Sequence, residues 1–285
     1  AIRRQRQMCI RDRYLYCLDL WPESMRDNIP DTNSLPYWLL TRWCQKLYNG
    51  AAKIGVTSPA FQDYLHEICL VPRENITYLP QHGEDMLRWG SLEAADNGVT
   101  DFVFMGNVGV AQDLENVARA VSLIHTAQPF LVHIVGIGPD LENLKKTVAQ
   151  LGVADHFRFH GRHPLEKMPD FYRLADACLL TLYADTAAGL TIPGKLQGYM
   201  SAGKPVIAAI GGGAAQVIAQ SGCGLCAQPG KPEELAEIMT QFMEQPSQAA
   251  QMGKRGREYF EKHFSLDIFT AQLERQLEEL CPKRG

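Results

Sequence analysis

The sequence predicts an α/β protein in which two parallel sheets are covered by helices. Three observations lead to this prediction. Short apolar runs of strand length alternate with amphipathic segments of helix length along most of the chain. The alternation is interrupted by one polar and irregular stretch, residues 81–98, which we interpret as the link between two domains. A chain of 285 residues is long for one domain and sufficient for two.

The segment before the link has the pattern of a small α/β unit. Strands and helices alternate at a spacing typical of right-handed parallel connections. We predict strands at 14–20, 53–58 and 76–80 and helices at 35–51 and 59–69. Ser58 is expected to cap the second helix, with Pro59 at its first position.

The start of this unit has no preceding partner strand. A parallel sheet needs neighbouring strands, so we expect the first domain, residues 14–93, to be incomplete. Residues 1–13 hold five arginines and one acid and show no clean period, and we interpret them as a disordered or non-native start.

The segment after the link, residues 94–265, predicts a doubly wound domain. Strands are predicted at 100–106, 130–136, 157–161, 177–183, 205–210 and 224–229. Helices are predicted at 111–125, 140–152, 164–175, 195–203 and 213–222, followed by three more at 231–245, 248–264 and 266–280.

Composition excludes several classes of protein. The net charge of −4 gives no reason to expect a nucleic-acid partner, and no apolar run reaches the length of a membrane span. No apolar segment follows the basic start, so we expect a cytoplasmic protein without a signal peptide. The eight cysteines are scattered as in a reduced protein. Cys223 and Cys226 form a CxxC that lacks a second ligand pair, so neither a metal site nor a cofactor is expected.

Glycine and polar residues follow five consecutive strands of the second domain. The carboxyl ends of parallel strands meet at one edge of a sheet, which is where ligands bind in such folds. After the first strand, a glycine loop leads into a helix N-terminus, an arrangement that suits a diphosphate. Each glycine loop alone is also compatible with a plain tight turn. The residues that we expect to bind a nucleotide ligand at these strand ends are Gly106, Asn107, Gly109, Gln112, Gly136, Gly138, Arg162 and Gly211.

The loop after the fourth strand, residues 183–195, is long and polar in an otherwise tightly connected domain, which favours a function. Lys195 follows it at the start of a helix, where a cation opposes the helix dipole unless an anion shares the site. A plain surface lysine is the alternative interpretation. A nicotinamide dinucleotide is disfavoured because no GxGxxG opens the domain and no acid ends its second strand.

Several segments together resemble the GT-B glycosyltransferases of family 4, and more narrowly the WbuB-like capsular and O-antigen transferases. The segments that carry the resemblance are DLWPES (19–24), SPAFQDYL (58–65), ENITYLPQHGED (74–85), FMGNVGVAQDLENV (104–117), IVGIGPDLENL (134–144), FHGRHPLEKMPDFYRLADACLLTL (159–182), TIPGKLQGYMSAGKPVIA (191–208) and MGKRGREYFEKHFS (252–265).

The resemblance implies two Rossmann-like domains, an acceptor-binding first domain, a second domain that binds the nucleotide-sugar, and a last helix, 266–285, that crosses back. It implies that Thr191, Pro193 and Lys195 contact the donor and that Lys195 stabilises the diphosphate. Many members of this family carry two glutamates around the helix that begins near Lys195, and the second glutamate contacts the nucleotide ribose. In this chain the position of the second glutamate holds Gly198, which we still expect to border the donor, and the position of the first falls near Leu190.

By the same resemblance, a UDP-N-acetylated sugar is the donor, an undecaprenyl-diphosphate-linked saccharide is the acceptor, and no metal is needed. Peripheral contact with the inner face of the plasma membrane follows from such an acceptor. The predicted helix 35–48, with Trp38, Arg42, Trp43 and Lys46, suits a membrane surface and equally a core or interdomain face. Catalytic residues of the acceptor side are not assigned.

Two other functions stay open. A UDP-sugar 2-epimerase shares the architecture but needs acids and histidines for proton transfer, which the strand ends mostly lack. A non-catalytic nucleotide-sugar-binding fragment is the second.

Overall fold

Two parallel sheets organise the molecule. The computed structural model describes residues 13–26, 29–94, 97–183 and 190–280. The first sheet has the strand order β1-β2-β3 and the second the order β6-β5-β4-β7-β8-β9. The strands are β1 Tyr14–Cys17, β2 Lys53–Val56, β3 Ile76–Tyr78, β4 Thr100–Met105, β5 Phe130–Val135, β6 Phe157–Gly161, β7 Ala177–Thr181, β8 Val206–Ala209 and β9 Gly224–Ala227.

Helices connect the strands and complete the layers on the sheets. The α-helices of the described residues are α1 Leu35–Tyr48, α2 Pro59–Glu67, α3 Leu114–Leu123, α4 Leu141–Gln150, α5 Met168–Leu174, α6 Gly194–Ser201, α7 Gly212–Ser221, α8 Pro232–Glu244, α9 Pro246–His263 and α10 Leu266–Leu280. The Ser58 hydroxyl accepts from the Phe61 N–H and Pro59 opens α2, which confirms the predicted cap.

Some predicted bounds were wrong for local reasons. The helix predicted at 111–125 is divided because Asp113 adopts a left-handed conformation with φ of 47° between a 3-10 turn, Val110–Gln112, and α3. The helix predicted at 164–175 likewise begins with a 3-10 turn, Leu165–Lys167, before α5.

The second sheet is buried on both faces, as expected for a parallel sheet covered by helices. Along β4, Phe102 and Phe104 belong to one apolar cluster, whereas Val103 and Met105 belong to the cluster on the opposite face. A smaller cluster covers the first sheet. The loops at the strand ends are therefore held on a rigid base.

The link between the two sheets is held against the second domain by hydrogen bonds and an ion pair. Its described residues, 81–94 and 97–98, hold one 3-10 turn, Met86–Trp89, and are otherwise irregular, as predicted for this stretch. The Gln81 carbonyl accepts from Gln197 Nε2 of α6 at 2.6 Å. Arg257 of α9 pairs with Asp85 and donates to the Ser201 carbonyl at 2.8 Å.

The last helix, α10, lies against the first sheet. Tyr14 donates its hydroxyl to Gln276 Oε1 at 2.6 Å, and Lys53 forms an ion pair with Glu279. The Phe269 ring lies 5.6 Å from the Tyr16 ring. The chain thus returns to its first strands after completing the second domain.

Helix α1 presents an apolar face to solvent. Trp38 and Trp43 are 55% and 57% exposed among the described residues. No helix in the described part of the chain has the length and apolar character needed to span a bilayer.

Candidate functional site

The strand order of the second sheet defines where a ligand can bind. Counted from β4, the order is 3-2-1-4-5-6, and the direction of winding reverses between β4 and β7. In such sheets ligands bind in the crevice outside the carboxyl ends of the strands at this reversal. The loop after Met105 and the loop after Thr181 flank the crevice. Residues 184–189 of the second loop lie outside the described residues.

The loops after β4 and β5 are locked together by their backbones. A Cβ on Gly136 would lie 1.8 Å from the Gly106 oxygen, and one on Gly138 would lie 2.1 Å from the Val108 oxygen. The Gly106 and Val108 N–H groups donate to the Val135 and Ile137 carbonyls at 2.9 and 3.0 Å. Gly136 and Gly138 are therefore required for loop packing, whether or not a ligand approaches them.

Lys195 reaches from α6 onto the β4 loop. Its ammonium lies 4.0 Å from the centroid of the Phe104 ring. A Cβ on Gly106, whose φ is 138°, would lie only 2.5 Å from Lys195 Cε and 2.9 Å from Nζ. Burial lowers the pKa of the Lys195 ammonium to about 8. The glycine thus leaves room for a partly desolvated cation at the reversal point of the sheet.

A cleft of about 660 Å³ opens between the loops after β4, β5 and β6. It brings together the predicted residues Gly106, Asn107, Gly136, Gly138 and Arg162. Its other lining residues are Val135, Ile137, His163 and Met168. The convergence expected from the strand ends is confirmed for these five residues.

Gln112 and Gly109 support the loop itself. The Gln112 side-chain oxygen accepts from the Gly109 N–H at 3.0 Å, and the Gln112 carbonyl accepts from the Thr181 hydroxyl. The Gln112 side-chain oxygen is therefore already used to cap this loop. A direct contact of the same oxygen with a ligand, which we expected from the sequence, would compete with that hydrogen bond. The hydrogen bond to Thr181 ties the β4 loop to the end of β7.

The remaining predicted residues lie around α6 and α7. Pro193 precedes α6, and Thr191 is half-buried two residues earlier. Gly198 lies on α6, where a Cβ would be 3.2 Å from the Tyr172 hydroxyl. Gly211 caps α7 in extended conformation, and a Cβ there would meet nothing closer than 3.7 Å. Gly198 therefore faces a buried tyrosine at the position where the resemblance places a ribose carboxylate.

Sequence reasoning missed a contact between the two domains. The Ser58 hydroxyl, at the start of α2, donates to the Leu190 carbonyl at 2.6 Å. Ser58 is fully buried, so it joins the first domain to the loop that leads into α6. Nothing in the sequence pairs two residues this far apart.

A chain of polar side chains that runs from the buried Asp101 to the half-buried His160 was also missed. Asp101 Oδ1 lies 2.8 Å from His133 Nε2, and His133 Nδ1 lies 2.9 Å from His160 Nε2. Because the carboxylate accepts from Nε2–H, a neutral His133 accepts at Nδ1 from His160. Burial and the neighbouring His133 lower the pKa of His160. The signal was a histidine inside each of two apolar strands, FLVHIVG and FRFHG.

The CxxC pair does not form part of the cleft. Cys223 is buried and Cys226 is exposed, and burial raises the pKa of the Cys223 thiol to about 11. Within residues 13–26, 29–94, 97–183 and 190–280, no three His, Cys, Asp or Glu side chains are grouped to hold a metal ion.

Comparisons with known proteins agree with this architecture. The chain is 25% identical over 248 residues to the probable glycosyltransferase WbjE of Pseudomonas aeruginosa, with 79% of this chain and 58% of WbjE covered. It is 31% identical over 125 residues to a GDP-mannose-dependent phosphatidylinositol monomannoside mannosyltransferase of Mycobacterium tuberculosis, with 43% and 32% covered. The chain thus spans less than two thirds of the length of these relatives.

Solved structures share the fold. Anabaena HepE in complex with UDP superposes with a TM-score of 0.77 at 17% identity, over 93% of this chain and 72% of that one. WaaG, a glycosyltransferase involved in lipopolysaccharide biosynthesis, gives 0.71 at 16% identity, over 94% and 75%. The protein therefore has the GT-B fold, with two Rossmann-like domains.

The family described as glycosyl transferases group 1 matches residues 93–259, which is more than half of the chain and includes the complete second sheet with its cleft. This chain belongs to the glycosyl transferases group 1 family.

Proposed function

We propose that this chain supplies the donor side of a glycosyltransferase that moves a sugar from a nucleotide-sugar, a UDP-N-acetylated sugar, to a lipid-linked saccharide. The product belongs to surface polysaccharide biosynthesis, in the manner of family 4 and its WbuB-like O-antigen and capsular enzymes. One observation carries the proposal: Lys195 is held partly desolvated over Phe104 and Gly106 at the reversal point of the sheet. The UDP bound in HepE supports the class of nucleotide.

In the proposed reaction, the bond between the anomeric carbon and the diphosphate oxygen breaks, the acceptor hydroxyl oxygen bonds to that carbon, and the hydroxyl proton passes to the leaving diphosphate. Negative charge grows on the leaving diphosphate. Lys195 and the N-terminus of α6 place positive charge there before the reaction, which is the most effective form of electrostatic stabilisation. We propose that this suffices without a metal ion, and that the anomeric configuration is retained as the family resemblance implies.

The donor contacts that we propose combine loop backbone and side chains. Gly106, Asn107 and Gly109 approach the phosphates, and Arg162 lies at the exposed wall of the cleft that suits the base. Thr191, Pro193 and Gly211 border the same edge from the loops before α6 and α7. Because position 198 has no carboxylate, we propose that backbone groups take over the ribose contact.

The first test is calorimetric titration of the protein with UDP. We expect Lys195→Ala to weaken binding roughly ten- to a hundredfold, because a hydrogen bond to a charged group contributes about 1.5–3 kcal/mol. Lys145→Ala, which removes an exposed lysine of α4, is the matched control and should bind like the unaltered protein. Titrations with GDP and ADP under the same conditions show which nucleobase the site prefers.

Two outcomes of these measurements would contradict the proposed function. If the folded protein binds none of the three nucleotides, the donor-site proposal is wrong. If it binds UDP but transfers no sugar to a lipid-linked acceptor, the chain is a non-catalytic nucleotide-sugar-binding fragment and not a complete enzyme. A 2-epimerase is disfavoured because His163 is the one titratable acid or base, besides Arg162, among the cleft-lining residues described.

The acceptor side follows from the same proposal. A lipid-linked saccharide is presented at a membrane surface, so we propose a cytoplasmic protein in peripheral contact with the inner face of the plasma membrane. Transfer in the presence of EDTA tests metal independence, and sedimentation with membranes tests the location.

A further inference from the structure

The two central strands of the second sheet, β4 and β7, separate toward their carboxyl ends. Among the described residues they are paired only at two positions, of which Val103 with Cys178 is the later. The neighbouring ladders continue further: β4 is paired with β5 up to Met105, and β7 is paired with β8 up to Thr181. A gap therefore opens between β4 and β7 at the reversal point of the sheet, beside the loop that follows β4.

A side chain of α6 takes the place of the missing strand partner. The Gly106 N–H donates to the Val135 carbonyl of β5. Successive backbone groups of a strand point to alternate sides, so the N–H and the carbonyl of Met105 point toward β7. There the Tyr199 hydroxyl accepts from the Met105 N–H at 3.2 Å and donates to the Met105 carbonyl at 3.5 Å. Tyr199 thus supplies the hydrogen bonds that β7 does not give to the end of β4.

The Tyr199 side chain is fully enclosed. It is 1% exposed and belongs to the apolar cluster between α6 and the sheet. Burial raises the pKa of its hydroxyl well above the usual value, so the hydroxyl keeps its proton at neutral and mildly alkaline pH. Because a buried backbone N–H needs a partner, removal of this one oxygen leaves the end of β4 without its anchor on α6.

Lys195 uses the gap that Tyr199 borders. It lies four residues before Tyr199, on the same face of α6. Tyr199 belongs to the apolar cluster on one face of the sheet, whereas Phe104 belongs to the cluster on the other face. The Lys195 ammonium nevertheless lies 4.0 Å from the centroid of the Phe104 ring. The lysine therefore passes from one face of the sheet to the other at the point where β4 and β7 are separated.

The turn before α3 closes the opposite end of the gap. The Thr181 hydroxyl donates to the Gln112 carbonyl, and the Tyr183 N–H donates to the Ala111 carbonyl at 3.1 Å. These two hydrogen bonds join the end of β7 to the 3-10 turn that follows the β4 loop. The gap is thus a fixed feature of the structure, bonded on both sides, and not a frayed strand end.

We infer that Tyr199 is a positioning residue of the donor site. Its hydroxyl holds α6 to the end of β4 and so determines where Lys195 passes through the gap and places its ammonium beside Gly106. This inference deepens the proposed function, on which it rests for the role of Lys195 at the diphosphate. Tyr199 itself contacts neither nucleotide nor sugar and acts only through the lysine.

The test compares Tyr199→Phe with Tyr48→Phe. Tyr48 of the first domain is also buried, and its hydroxyl accepts from the Trp21 N–H at the same distance of 3.2 Å. Both variants keep the ring and lose one oxygen, so both should fold and show a similar fall in Tm by circular dichroism. Only Tyr199→Phe should weaken UDP binding in calorimetric titration, by about three- to tenfold, which is the usual contribution of one hydrogen bond.

The pH dependence of UDP binding is a readout that a purely structural role would not change. In the unaltered chain, burial lowers the pKa of Lys195 to about 8, so UDP affinity should fall as the pH rises through this value. In Tyr199→Phe the ammonium can move toward solvent, and the fall should shift toward the ordinary lysine pKa of about 10.4. Tyr48→Phe should keep the profile of the unaltered chain.

Two results would overturn the inference. One is a Tyr199→Phe variant that loses stability like Tyr48→Phe but keeps the UDP affinity and the pH profile of the unaltered chain. The other is a Tyr199→Phe/Lys195→Ala variant that binds UDP more weakly than Lys195→Ala, because Tyr199 would then act by a route other than the lysine. A Lys195→Ala variant that binds UDP as tightly as the unaltered chain would instead contradict the proposed function itself, and the inference with it.

Discussion

Replacement of Gly106 by alanine tests whether the β4 loop acts through Lys195. The added Cβ would lie 2.5 Å from Lys195 Cε and 2.9 Å from Nζ, so the end of the lysine has to leave its position over Phe104. That displacement is inexpensive because the lysine is flexible. The ammonium would then lie outside the crevice in which we place the diphosphate.

Two magnitudes follow from the structure. The φ of 138° at position 106 is unfavourable for alanine by about 1–3 kcal/mol, which corresponds to a fall in Tm of about 3–8 °C for a domain of this size. Loss of the lysine contact costs a further 1.5–3 kcal/mol of UDP binding, or roughly ten- to a hundredfold in Kd. The stability and binding effects thus have separate origins.

The matched control is Gly152→Ala. Gly152 also has a positive φ, 71°, but a Cβ there meets no atom within 4 Å, and it lies in the turn after α4. This variant should lose similar stability and keep its UDP affinity. Thermal unfolding by circular dichroism and calorimetric titration with UDP are the two assays.

A double-mutant cycle completes the test. If Gly106 acts by making room for Lys195, Gly106→Ala/Lys195→Ala should bind UDP no more weakly than Lys195→Ala alone. Additive losses would refute the reasoning, and so would a Gly106→Ala variant that binds UDP as tightly as Gly152→Ala.

Three other predictions use different parts of the site. Because the pKa of Lys195 is about 8 and a diphosphate binds its charged form, UDP affinity should fall about tenfold from pH 7 to pH 9 as the ammonium loses its proton, while Lys195→Met gives a pH profile without this step. Gly136→Ala should destabilise the fold by at least about 3 kcal/mol in urea unfolding, since its Cβ would lie 1.8 Å from a backbone oxygen, whereas Gly211→Ala, with 3.7 Å of room, should leave stability unchanged; equal effects would contradict the packing argument. His133→Leu should cost about 3 kcal/mol because it leaves the buried Asp101 carboxylate without its imidazole partner, and adding Asp101→Asn should recover part of the loss; a His133→Leu variant as stable as the unaltered chain would show that the contact is dispensable.

The sequence predicted those features that depend on local pattern. Apolar runs marked the strands of the second sheet because apolar clusters cover both of its faces. Glycine and polar residues at the strand ends marked the cleft because parallel strands bring these ends to one edge. The break at Asp113 was not predicted, since an aspartate adopts the left-handed conformation only where the surrounding structure holds it.

The chemistry of individual site residues was predicted less well. Gly136 was expected to approach a ligand, yet its nearest constraint is the Gly106 carbonyl of an adjacent loop. The Ser58–Leu190 hydrogen bond joins residues from different domains, and the Asp101–His133–His160 chain crosses three strands. Both depend on tertiary packing, which periodicity and residue type do not encode.

The hydrogen bonds that hold the link restrict which residues can act as a hinge between the two domains. Leu79 N–H donates to the Val56 carbonyl of the first sheet, while the Gln81 carbonyl accepts from Gln197 of the second domain, so only Pro80 lies between the two attachments. On the return path, α9 ends at His263 and α10, which lies on the first sheet, begins at Leu266. A rotation of one domain against the other must therefore be absorbed within one residue on the outward path and two on the return, and it would also break the hydrogen bond from Ser58 to the Leu190 carbonyl.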